Sequence, residues 1–94
     1  MTLDGYQFDE ESLDACAAAR VSVPDVVRLL HGDQRLRRHI GNTGLAVTGC
    51  VDGLWLTVTL IEAHAVADVY VVRDIYRLDD QQAATVARIL KGRQ

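Results

Sequence analysis

The sequence predicts an α+β domain of order α-α-β-β-β-α, an antiparallel meander sheet with its helices packed on one face. Three observations predict it: two helix-start signals close together in the first third, an apolar period that falls from about four to two in the middle, and one more helix start near the carboxy end. At 94 residues the chain is the size of one domain, here read as residues 1–94. A domain this small hides only about 60–65% of the surface its unfolded chain exposes, so burial added by a partner is a real gain.

A short lead holding Tyr6 and Phe8 precedes Asp9, whose carboxylate suits the cap of a helix over residues 10–19 with Leu13, Cys16 and Ala17 on one face. The second start is sharper. Ser22 stands at the cap, Pro24 falls in the first turn where its missing N–H is harmless, and Asp25 completes a capping-box variant. Val23, Val26, Val27 and Leu30 then form an apolar stripe that Gly32 ends.

Residues 45–50 and 54–61 alternate as strands joined through Asp52-Gly53, a pair suited to a tight hairpin. Leu54, Leu56, Val58 and Leu60 share the expected core face, packed against Val26, Val27, Leu30, Val86 and Leu90. Trp55, Thr57, Thr59 and Ile61 share the other. A turn near residues 65–68 leads to a third strand over 69–73, and residues 35–40 are read as a fourth strand at the edge. Asp79 and Gln82 then form a reciprocal capping box, opening a last helix with Ala83, Val86, Ala87 and Leu90 as its buried stripe and Gly92 as its end.

The longest mostly apolar run, residues 54–67, is interrupted by Thr57, Thr59, Glu62 and His64, which is too short and too polar for a membrane span. The amino terminus lacks the basic and apolar stretches of a secretory signal, so a cytoplasmic location is expected. Cys16 and Cys50 are too far apart for a Cys-x-x-Cys site and are expected to be buried free thiols.

The net charge of −3 hides a segregation. Residues 1–34 carry Asp4, Asp9, Glu10, Glu11, Asp14, Asp25 and Asp33 against Arg20 and Arg28, whereas Arg35, Arg37 and Arg38 lie together with no acid among them. Such a knot suits a phosphate or an acidic partner, and its plain alternative is a solvated loop.

Hydrolase elbows, glycine-rich phosphate loops and His-Glu-x-x-His pairs are absent from the sequence, no cofactor is implied, and His31, His39 and His64 lack metal-site spacing. Glu62 and His64 fall two apart at a strand end, where a surface pair is the plain reading. The remaining constellation is Arg35, Arg37, Arg38 and His39 with Arg73 and Arg77. Metal-independent RNA cleavage needs a base, an acid and cations on the phosphate, which arginines and a histidine supply when they converge. The plain alternative is a salt bridge of Arg73 and solubilising arginines elsewhere.

The order of features resembles the BrnT-type toxins, small RelE-like ribonucleases of toxin–antitoxin pairs. It is carried by an opening Phe8-Asp9, a helix, Val21-Ser22-Val23-Pro24-Asp25-Val26 at the Val-Ser turn, Thr48-Gly49-Cys50-Val51-Asp52-Gly53-Leu54-Trp55-Leu56 as the hairpin, and Val72-Arg73-Asp74 where an Ala-Arg pair ends a strand in the family. Where family members usually carry Lys-His before the Val-Ser turn, this chain has Ala18-Ala19-Arg20. The resemblance implies an endoribonuclease or an RNA-binding relative with a cognate antitoxin as partner, and of functional residues it carries over Arg73 alone. The charged constellation itself adds His39 as the catalytic companion and Arg35, Arg37, Arg38 and Arg77 as RNA contacts.

The competing reading is a non-enzymatic protein–protein interaction or homodimerisation module. Trp55 and Ile61, on the strand face turned from the core, are its expected interface. Arginines converging with histidine in one concave site would favour the ribonuclease, and dispersed arginines together with a wide apolar sheet face the interaction module.

Overall fold

The computed structural model describes residues 2–3, 5–32, 34–63 and 68–92. Its elements are β1 (Thr2–Leu3), β2 (Tyr6–Gln7), α1 (Glu10–Ala19), α2 (Val23–His31), β3 (Arg35–Ile40), β4 (Gly44–Val51), β5 (Leu54–Glu62), β6 (Tyr70–Arg77) and α3 (Asp80–Lys91). The strands form one sheet of order β1-β2-β6-β5-β4-β3. The α+β class stands, but the sheet is mixed rather than purely antiparallel. Tyr6 and Gln7 pair parallel with Tyr70 and Val71, and every other neighbouring pair is antiparallel. The added strands are two residues each, too short to leave an alternating signal in the sequence.

All three helices begin where the cap residues place them. Asp9, Ser22 and Asp79 each accept a hydrogen bond from the third amide of their helix, and Ser12, Asp25 and Gln82 reach back to the capping residue's own amide. The buried faces differ from expectation. On α1 the buried residues are Ser12, Cys16 and Ala19, while Leu13 is exposed, because the Ser12 hydroxyl bonds to the sheet and turns the helix by about one residue. On α2 Leu29 joins Val26 and Leu30 in the core.

The hairpin between β4 and β5 turns on Asp52 and Gly53, both at positive φ (51° and 79°), which matches the right-handed twist of the strands it joins. The alternation expected for β5 holds: Leu56, Val58 and Leu60 are fully buried with Leu45, Val47 and Val72 from the flanking strands, and α1 and α2 cover this inner face. β6 runs to Arg77, four residues past the expected end. A β-bulge explains this. Thr59 pairs with Asp74 and Leu60 with Val72, so Arg73 is the extra residue and the alternation shifts across it.

Val86 and Leu90 do not join Leu56 and Val58, contrary to expectation. α3 lies on the outer face, where Val86 borders a cleft with Leu36, Arg38, Ala46, Thr48 and Thr57, and Ala87 and Leu90 border one with Gln34, Cys50 and Trp55. Four strands span roughly 20 Å and a packed helix occupies about 10 Å, so α1 and α2 already fill the inner face. β6 therefore sends the chain over the other side. Cys50 belongs to that outer face and is exposed, whereas Cys16 is buried as expected. Glu62 ends β5 and is exposed, while its expected companion His64 and most of the turn at residues 65–68 lie outside the described residues. Among the described residues no helix is long and apolar enough to cross a membrane.

Leu56 sits at the centre of the inner face with no exposed surface. Leu56→Ala is expected to lower unfolding free energy by about 2–4 kcal/mol in urea titration, as cavity formation in a packed core does. A change under about 0.5 kcal/mol would place Leu56 outside the core.

Candidate functional site

Among the described residues β3 is the last strand of the sheet, paired with β4 alone. Its sequence, Arg-Leu-Arg-Arg-His-Ile, alternates sides by the ordinary period of two. Arg35, Arg37 and His39 stand opposite Gly49, Val47 and Leu45 on the inner side of the edge. Leu36, Arg38 and Ile40 stand opposite Thr48, Ala46 and Gly44 on the outer side. Arg37, Arg38, His39 and Ile40 are exposed, and Arg35 is half-buried. None of the three arginines forms an ion pair with a described residue.

The β6 arginines are placed differently. Arg73 donates from Nη1 to Oδ2 of Asp9 at 2.7 Å and lies 3.3 Å from Glu11 Oε2. Arg77 donates from Nε to the Ala19 carbonyl at 2.7 Å and from Nη2 to that of Arg20 at 3.4 Å. One arginine thus holds the capping carboxylate of α1, and the other takes the orphan carbonyls at its end, where α1 has no basic residue of its own. The bulge turns Arg73 toward the helix start, out of the alternation it would otherwise follow.

His39 and Arg73 are therefore not brought together. His39, Leu45, Leu60 and Val72 form one cross-strand row, which puts the backbones of β3 and β6 three strand spacings apart, about 14 Å. Arg35, Arg37 and Arg38 remain near His39 along β3, and Arg77 lies with Arg73 on β6. Among the described residues no three His, Cys, Asp or Glu side chains cluster as metal ligands. Burial pushes the Cys16 thiol up, away from the thiolate form that reactivity requires.

The outer face carries the second predicted feature. Trp55 is half-covered and shares a cleft of about 290 Å³ with Ala87, Leu90 and Lys91 of α3. Ile61 is exposed on the part of the face beyond α3, as are Ile40 and Tyr76. A groove of about 430 Å³ there runs over the row Arg38, Ala46, Thr59 and Asp74, floored by short side chains with a cation at one wall and an acid at the other. Asp74 and Tyr76 were missed in the sequence because the bulge breaks the alternation that reveals outward positions. Ser12 was missed because a serine on a helix reads as surface, although its place three residues after Asp9 is a capping-box signal.

The Arg73 guanidinium, helped by the Ser12 amide, holds the Asp9 carboxyl down at about 2, below its ordinary 3.8. Because the folded value is the lower one, the stabilisation is complete above about pH 4 and is lost as pH falls toward 2. The Asp9 and Arg73 side chains are 36% and 30% exposed, so water screens the pair and its worth is about 1 kcal/mol. Asp9→Asn, which retains the cap, is expected to be less stable than wild type by about that amount at pH 6, with the two converging near pH 2. Urea titrations across this range check it; a constant gap down to pH 2 would exclude the ion pair as its source.

No family model, no characterised protein and no solved structure matches this chain.

Proposed function

We propose that this protein is a non-enzymatic protein-interaction module whose working surface is the cationic edge of the sheet. The supporting observation is the division among its arginines. Arg73 and Arg77 are engaged in holding the two ends of α1, whereas Arg35, Arg37 and Arg38 have no ion-pair partner among the described residues and line an open strand.

Cleavage of RNA by the route a BrnT-like protein would use asks for base, acid and cations within hydrogen-bond reach of one phosphate. His39 and Arg73 stand on strands whose backbones are about 14 Å apart, and the Arg73 guanidinium is held by Asp9, so the two do not meet that demand together. A binding surface asks less, since charge on an exposed strand steers and retains an acidic partner without a converging pocket.

The test is incubation of wild type, His39→Ala and Arg73→Ala with a mixed-sequence RNA oligonucleotide in chelator, followed by separation of fragments. The expected outcome is intact RNA in every case. Cleavage by wild type that either substitution abolishes would overturn the interaction reading and establish a ribonuclease of the BrnT kind.

A further inference from the structure

We infer that the free edge of β3 takes an acidic, extended segment of a partner protein by antiparallel strand addition; this rests on the interaction-module reading and names its partner chemistry. An edge strand presents unpaired backbone N–H and C=O groups at alternate residues, a template on which another extended chain completes a ladder. β3 provides six residues in regular extended structure, every second one with its backbone groups turned outward, and is pinned on its other side by pairing of Arg35 with Gly49 through to Ile40 with Gly44. The backbone of the site is thus already ordered, which lowers the cost of binding.

The side chains say which chain fits. Residues directly opposite in a sheet lie on the same face about 5 Å apart, where opposite charges attract and like charges repel. A second copy of β3 is disfavoured in the central antiparallel registers. Pairing about Arg37 places it on itself, and pairing between Arg37 and Arg38 sets one against the other. An acidic strand relieves this repulsion. Carboxylates opposite Arg35 and Arg37 meet their guanidinium groups on the inner side of the edge, and one opposite Arg38 does so on the outer side. Leu36 and Ile40 flank Arg38 on the outer side, and Ile40 is 43% exposed, so apolar residues are selected opposite these two. Read from its amino end, the incoming strand has the pattern apolar, any, acid, acid, apolar, acid.

The probe is a blocked peptide, acetyl-Val-Thr-Glu-Glu-Val-Glu-amide, titrated into the full chain by calorimetry and by amide chemical shifts. Binding is expected to perturb the amides of residues 35–40, to weaken with salt, and to fall about tenfold or more in an Arg35→Glu, Arg37→Glu double variant. These side chains lie outside the core, so a far-ultraviolet spectrum and melting transition close to wild type accompany the loss. A peptide of the same composition, N-methylated at alternate residues to block the ladder, is expected to bind about tenfold more weakly. Equal binding by the methylated peptide, or no binding of the probe at about 1 mM, would overturn strand addition. So would saturable binding of RNA at these amides without binding of the peptide. If strand addition fails while RNA remains uncleaved, only the partner chemistry is wrong; cleavage dependent on His39 removes the interaction reading itself.

Discussion

The docking of α1 onto β6 turns on one buried hydroxyl. Ser12 has no exposed surface, and its Oγ lies 2.6 Å from the Val72 carbonyl, which it satisfies as donor. The same oxygen accepts from the Asp9 amide at 3.1 Å, so the helix cap and the sheet share an atom. Asp9 in turn binds the Ser12 amide and the Arg73 guanidinium. A polar group in this position is stable only when all its bonds are made, so helix start, bulge and strand are determined together.

The length of α1 follows from the same frame. Ten helical residues rise about 15 Å, and four residues along a strand advance about 13 Å. Arg73 and Arg77, four apart on β6, therefore reach the start and the end of α1 respectively. A helix with a hydrogen-bonded arginine at each end is clamped in both position and direction, running alongside the strand that holds it. This construction draws both β6 arginines into the fold. It also fills half of the inner face, leaving the rest to α2 and sending α3 to the outer side, where it covers Trp55 and leaves Ile61 exposed.

What could be read from the sequence was local in origin. Helix starts at Asp9, Ser22 and Asp79 rest on side chains acting within one turn, and the Asp52-Gly53 hairpin rests on two residues that tolerate positive φ, so each was legible and each is present. The side of the sheet chosen by α3 was not legible. It depends on how much of the inner face α1 and α2 occupy, which no single segment encodes. The bulge at Arg73 was hidden for the same reason, since it is a property of the pairing between β5 and β6. That one unpaired residue separates Arg73 from the candidate site: a period-two reading leaves it available beside other arginines, and the bulge delivers it to Asp9.

Net charge is a poor guide to what such a molecule attracts. The chain is acidic in sum, yet Asp9, Glu10, Glu11 and Asp14 line the start of α1, above β6, and Arg35, Arg37 and Arg38 lie on β3 at the other side of the four long strands. About 14 Å separates the two strands, while at physiological ionic strength charges are screened over about 8 Å. The acids therefore neutralise little of the field at β3. Asp9 is further discounted, its charge being matched by Arg73. A partner approaching the β3 edge meets a locally cationic strand with an open ladder, and the sign of the whole protein matters to it only at long range.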